Sequence, residues 1–341
     1  MTGATRRGVH RRATIAEIAE QAGVSRQTVS NVLNAPERVR EATRQRVEKV
    51  IAEAGYRPLK SAQSLRTRRS NLIAVGMQTP GAEPEAVLDV FLHALSSGAQ
   101  DRGYRLLLMT APSDGAEIAG YDDALYDYDI DAVVLTGTHT YDERVPWLHQ
   151  RGIPFVTFGR PWGELADHSW VDVDGAAGTD GATRHLVASG HRRIGFLGWP
   201  TGSGSGEDRR HGWMQVCREV GSPTRGLTRR CRNTIDEGRA ACAVLLDSGR
   251  PPTALVCVSD TVAVGAWLEL QERGLTPGRD VALIGFDDSR TASVIGLSSV
   301  AQPLPAVAEA CLDSLHDQLE GGNHRCRHVL LEPRLVLRDS A

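Results

Sequence analysis

The sequence predicts a small all-α helix-turn-helix headpiece followed by an α/β body of two doubly wound parallel-sheet subdomains. At 341 residues the chain is too long for one compact core and suits one small and two medium units. From Asn71 onward short apolar runs alternate with helical patterns, the signature of parallel sheets covered by helices on both faces. Charge is also divided: residues 1–69 carry +9 and the rest −12 within a net charge of −3. A basic end on an acidic body points to a polyanion-binding module attached to something else.

Composition narrows the class further. With 41% hydrophobic and 24% charged residues the chain reads as globular, and no apolar run approaches the thickness of a bilayer. The basic stretch Met1–Arg12 is not followed by an apolar segment, so no signal peptide is predicted and a cytoplasmic location is expected. The six cysteines form no Cys-x-x-Cys pair and are expected as reduced, packed thiols. His324, Cys326 and His328 alternate along a strand-like stretch without the spacing of a structural zinc site, and neither metal nor cofactor is expected.

At the N-terminus Thr14 and Glu17 form a capping-box pattern, and Ile15, Ile18 and Ala19 follow at helical spacing. Ala22-Gly23-Val24 breaks this helix with a glycine suited to a left-handed turn. Ser25 then caps a second helix with Val29, Val32 and Leu33 inward. A third helix, about Glu41 to Ala54, closes the core with Val47, Val50 and Ile51 and ends at Gly55. In such a pair the second helix enters the major groove. Its outward residues are Arg26, Gln27, Ser30 and Asn31. Arg matches the guanine edge, and Gln or Asn matches the adenine edge.

The runs Thr14–Ala19, Ala22–Ser25, Thr28–Ser30, Val32–Asn34, Thr43-Arg44 and Gly55–Pro58 resemble the headpiece of the lactose/galactose repressor (LacI/GalR) family. The resemblance implies operator-DNA contacts from Thr14, Ser25, Arg26, Gln27, Thr28, Ser30, Asn31, Asn34, Arg40 and Tyr56. Ala62-Gln63-Ser64-Leu65 resembles that family's hinge helix, which makes Ala62 a further contact and Leu65 the candidate minor-groove wedge. Two positions depart from the family pattern. Asn31 stands where many relatives carry Arg, and Arg40 stands where a Ser caps the third helix, a loss worth about 1 kcal/mol.

The strand candidates of the body are Leu72–Met77, Arg105–Met109, Ala132–Thr136, Phe155–Phe158, Ile194–Leu197, Ala254–Val258 and Val281–Phe286, with helices near 85–101, 142–151, 175–189, 207–220, 237–248 and 261–273. Ligands of open α/β sheets bind beyond the carboxyl ends of the strands. That rule singles out Arg160, the loop Thr201–Gly206 leading to Arg209, and Ser259-Asp260. Val171–Asp174, Gly190–Ile194, Arg209-x-x-Gly212, Ser259-Asp260 with Ala263 and Gly265, Ile284–Asp288 and Leu297–Gln302 resemble the periplasmic-binding-protein-like body of the same family.

The resemblance implies that Arg209 and Asp260 bind effector, a donor and an acceptor suited to vicinal hydroxyls. Arg160 is a further candidate, Trp162 and Trp199 could stack on a sugar face, and Asn233 stands near where some relatives have a stacking aromatic. The expected organisation is a basic flexible tail (1–12), the headpiece (13–58), a hinge (59–69) and the body (70–341). Within the body, subdomain one covers about 70–169 and 302–327, and subdomain two about 170–301 and 328–341.

The expected protein is a homodimeric transcriptional repressor, not an enzyme, that binds a palindromic double-stranded operator under control of a small effector, a mono- or oligosaccharide, in the cleft. The alternatives are a regulator answering to a purine or other non-sugar ligand, and a sugar-binding transport protein. Gly202–Gly206 is neither a phosphate-binding loop, lacking Gly-Lys-Ser/Thr, nor a nucleophile elbow, because each Ser is directly flanked by Gly. It is expected as a flexible cleft loop. No catalytic residue is assigned.

Overall fold

A computed structural model describes residues 13–56, 69–78, 86–163, 167–321 and 325–341. The expected tail, nearly all of the hinge with Ala62 and Leu65, and His324 lie outside them. The chain divides into two units, residues 1–70 and 71–341.

In the first unit α1 (Ile15–Gln21) opens on the expected capping box, with Glu17 N donating to Thr14 Oγ1 at 3.3 Å and Thr14 N donating to Glu17 Oε2 at 2.8 Å. Gly23, at φ +64°, supplies the left-handed turn into α2 (Arg26–Asn34), which Ser25 caps by accepting from Thr28 N. α3 (Glu41–Ala54) ends at Gly55, φ +60°. Ile18, Ala19, Ala22, Val29, Val32 and Val47 form the buried core. Arg40 at the start of α3 makes no side-chain capping bond.

In the second unit the first sheet is built from β1 (Leu72–Gln78), β2 (Arg105–Ala111), β3 (Ala132–Leu135), β4 (Phe155–Phe158), β5 (Trp170–Val173) and β11 (His328–Leu331). They lie in the order β11-β5-β4-β3-β1-β2, all neighbours parallel. The second sheet holds β6 (Ile194–Gly198), β7 (Thr228–Arg230), β8 (Ala254–Cys257), β9 (Ala282–Phe286), β10 (Ser298–Ala301) and β12 (Arg334–Val336) in the order β12-β10-β9-β8-β6-β7. Only β12 runs antiparallel to its neighbour. Both sheets reverse winding direction beside their first strand, between β1 and β3 and between β6 and β8. Such switch points open crevices at strand carboxyl ends.

Helices cover both sheets: α4 (Ala86–Asp101), α5 (Asp114–Tyr128), α6 (Arg144–Arg151) and α12 (Leu304–Leu319) belong with the first. With the second go α7 (Gly175–Ala188), α8 (Gly204–Glu219), α9 (Ile235–Leu246), α10 (Asp260–Glu272) and α11 (Arg290–Ile295). Of the described cysteines only Cys326 is exposed.

Three sequence expectations are corrected. The subdomain boundaries at 169/170 and 327/328 fall too early, because Trp170–Val173 and His328–Leu331 pair with each other and with β4 inside the first sheet. Helix α5 was not expected: its inward residues Glu117, Tyr121 and Ala124 form a stripe broken by glycines and interleaved with acids. Gly204 and Gly206 are not a loop but the first turn of α8, which Ser203 caps by accepting from Gly206 N at 3.1 Å.

The missing cap generates a prediction. Arg40→Ser should stabilise α3 by about 1 kcal/mol, roughly fivefold in its opening equilibrium. Amide exchange of the α3 backbone in the full chain measures this, and unchanged protection would show that the terminus gains nothing from a cap.

Candidate functional site

The headpiece residues sort by what their side chains touch. Thr14, Ser25 and Thr28 build helix starts, with Ser25 Oγ and Thr28 Oγ1 2.9 Å apart. Tyr56 packs against the core. Asn34 donates back to Ser30 O at 2.8 Å and so serves the end of its own helix. Arg26 and Gln27 are exposed, Ser30 and Asn31 half-buried, all away from buried Val29 and Val32. Gln27 Nε2 donates to Asn31 Oδ1 at 3.1 Å, which couples the two amides into one polar surface.

In the body the site centres on Arg209. It lies on α8, which runs along α7 because Gly212 removes a Cβ that would stand 2.0 Å from Ala176 O. Gly175 does the same for the Arg209 stem, where an added Cβ would meet Cγ at 2.9 Å. Arg209 is 8% exposed, and its guanidinium lies over the Phe286 ring, 3.7 Å from its centroid, with the Trp199 ring at 5.2 Å. Its Nη1 donates to Val258 O at 2.6 Å and stands 3.6 Å from Asp287 Oδ1. Burial lowers its pKa, and Asp287 opposes that shift most. Two buried donors here have no hydrogen-bond partner, Arg209 Nε and Trp199 Nε1.

Asp260, the other residue expected to bind effector, is close enough to act on the charge of Arg209 but is enclosed by its own hydrogen bonds. It is 3% exposed, and both oxygens are taken at 2.6 Å, Oδ2 by Ser289 N and Oδ1 by Ser299 Oγ. It sits under β9, where Gly285 leaves it room, since a Cβ there would come within 2.2 Å of Oδ1. The carboxylate beside Arg209 is Asp287, with Gln302 Nε2 donating to its Oδ1 at 2.7 Å. Asp287 and Asp288 have φ +114° and +53°, conformations that cost about 1–3 kcal/mol each outside glycine. The turn is held by Asp287 N to Val300 O, Asp288 N to Ser299 Oγ, and Arg338 Nη2 to Asp288 Oδ1 at 2.5 Å. Phe286, Asp287 and Gln302 were not singled out beside Arg209, although Phe286 ends a strand and Asp287 follows it.

The other candidates frame the site. Arg160, after β4, donates from Nε to Asp172 and from Nη2 to Asp208, both at 2.7 Å, and so ties the first subdomain to α8 of the second. Burial raises the pKa of both carboxyls and Arg160 works against it. Trp162 stacks with Arg160 at 4.8 Å and lies on Gly204, where a Cβ would be 2.1 Å from its ring. Asn233 accepts from Ser259 Oγ at 2.6 Å, behind the N-terminus of α10.

A helix-turn-helix unit joined in sequence to a body of two open, mostly parallel sheets is the organisation of a DNA-binding transcriptional regulator. The chain matches the family of bacterial regulatory proteins of the lacI type over residues 14–59 and a periplasmic binding protein-like domain over 183–341. It is 33% identical to the HTH-type transcriptional regulator CelR of Thermobifida fusca over 97% of this chain and 98% of the relative. Identity to the HTH-type transcriptional repressor PurR of Klebsiella pneumoniae (strain 342) is 29%, over 96% of each.

Among solved structures, a transcriptional regulator CelR–cellobiose complex is similar with TM-score 0.74 and 30% identity, covering 97% of this chain and 100% of that one. The lac repressor dimer bound to operator and an anti-inducer is similar with TM-score 0.84 and 25% identity, covering 97% and 99%. The chain belongs to the LacI family of transcriptional regulators, which are not enzymes. No helix among the described residues is long and apolar enough to cross a membrane.

Burial pushes the Asp260 carboxyl up to about 6, while the Ser299 and Ser289 bonds hold it down. A folded-state pKa above the ordinary 3.8 contributes stability that is present below pH 4 and lost as pH rises through about 6. Asp260→Asn lacks that loss. The midpoint temperature of the variant minus that of the wild type should therefore rise between pH 4 and 7, and a constant or falling difference would contradict the burial of an uncompensated carboxyl.

Proposed function

We propose that the protein is a cytoplasmic transcriptional repressor that binds a palindromic operator as a dimer and is controlled by a sugar held at Arg209 and Asp287. The observation that carries the effector reading is the pair of buried, unpartnered donors, Arg209 Nε and Trp199 Nε1, beside the Asp287 carboxylate. A buried donor left unsatisfied costs about 1–3 kcal/mol, and a hydroxyl that accepts from one such N–H while donating to a carboxylate recovers it. Vicinal hydroxyls offer both functions at neighbouring positions. A purine fits less well, because the Phe286 face that would stack on it is covered by the Arg209 guanidinium at 3.7 Å. The cellobiose held by one structural relative accords with a sugar. Effector and operator then bias one two-state body, and each changes the other's affinity equally.

Arg26, Gln27 and Asn31 read bases in this scheme, while Arg40, exposed at the start of α3, meets phosphate. Arg26→Ala should cost about 1–3 kcal/mol on the matched operator and narrow the gap to scrambled DNA, whereas Arg40→Ala should weaken both equally. Binding isotherms at fixed salt distinguish the two; parallel losses for both variants would remove Arg26 from base reading.

For the cleft, a thermal-shift screen of mono- and disaccharides and purines identifies the effector. Arg209→Lys and Asp287→Asn should each abolish its shift while operator binding without effector persists. A sugar shift that survives both substitutions places the ligand elsewhere.

A further inference from the structure

The first subdomain carries a cavity of 390 Å³, away from Arg209, which falls in the range of about 300–1,000 Å³ typical of small-ligand pockets. His139, Tyr141 and Asp142 line it from the segment after β3, His149 from α6, and Trp162 and His168 from the segment after β4. His168 is 6% exposed and its Nδ1 is buried without a hydrogen-bond partner, the nearest carboxylate oxygen, on Asp167, being 3.8 Å away. Tyr141 is 82% exposed at φ +61°, a conformation that bulky residues rarely adopt. Nothing in a hydrophobic core requires that ring to be held out in solvent. Trp162 joins the cavity to the cleft, since it also lies on Gly204 at the start of the helix that carries Arg209.

The chemistry of the lining selects the occupant. Asp114, His139 and Asp142 bring possible ligand atoms within 4.8 Å of one another, as a cation site would. Arg144, fully buried, already fills that role: it donates to Asp142 Oδ1 at 2.8 Å and to Oδ2 at 2.7 Å, and its Nε stands 3.8 Å from Asp114. A divalent ion would have to sit against a guanidinium. A neutral molecule rich in hydroxyls meets no such opposition, because imidazoles donate to and accept from hydroxyls, carboxylates accept from them, and the exposed Tyr141 ring offers a face to its apolar side.

We propose that this cavity is a subsite for a further pyranose ring of an oligosaccharide whose first ring is held at Arg209 and Asp287, with Trp162 at the border between the two. The proposal rests on the sugar reading of the cleft. His168 Nδ1, His149 and the Asp142 carboxylate bind the hydroxyls of the outer ring, and Tyr141 closes over it. The effector class is then an oligosaccharide, not a monosaccharide.

The test is calorimetric titration of the full-length protein with glucose and with the β-1,4- and α-1,4-linked glucose oligomers of two to four units, in the wild type and in Tyr141→Ala and His149→Ala. Both substituted side chains are exposed, and the variants are expected to fold. In one linkage series affinity should rise about tenfold from the shortest binding sugar to the trimer, and each variant should lose most of that gain while keeping the affinity of the shortest sugar. Affinity that is flat with length, or a length gain untouched in both variants, overturns the subsite and leaves the cleft reading standing. Binding of none of the sugars, with the fold and operator binding intact, overturns both.

Discussion

The body is organised around a positive charge kept almost wholly out of water. Removing a guanidinium from solvent is costly unless partners replace its hydration. Arg209 finds only part of that replacement: a carbonyl at 2.6 Å, a carboxylate at 3.6 Å and two aromatic faces. Other features follow from housing it. Gly175 and Gly212 let α7 and α8 close around its stem, Phe286 and Trp199 end strands on either side, and the Asp287 turn is held in an unfavourable backbone conformation that brings the carboxylate near. The charge is only partly satisfied by the protein, so a ligand able to complete its hydrogen bonding gains more here than on an ordinary surface.

Asp260 has the opposite character. It is closed off by Ser289 and Ser299, which belong to the segments after and beyond β9, and so it fastens the turn that presents Asp287. A substitution there alters the support of the Asp287 turn and the pH dependence of folding.

Much of this was legible in the sequence, and the reasons differ by element. The headpiece could be read almost residue by residue because its helix starts and stops are local chemistry: a capping box at Thr14, an N-cap at Ser25, and glycines at 23 and 55 in left-handed turns. The strands of the body were legible wherever they are central and apolar. Its edges were not, since β7 and β12 are three residues long and β5 and β11 are assigned by their partners, not their composition. Arg209 stood out in the sequence because it begins a recognisable spacing with Gly212. That Asp287 is the carboxylate within 4 Å of it was not legible, because Asp260 and Asp287 both follow strands, and only hydrogen bonds from residues some thirty to forty positions away decide which one is enclosed. The role of Gly204 depended on a tryptophan from the other subdomain and had no local signal.

The chain passes between the two sheets after β5, again between β10 and α12, and a third time between β11 and β12. Three adjacent ropes tying two lobes resist stretching and shearing far better than bending. The lobes are thereby left with one soft motion, rotation about the line of the connections. On such an axis, a displacement at the mouth near Trp162 is larger than the one at the connections that produces it. A slight change of that angle therefore carries the outer parts of the body much further than it moves the connections themselves.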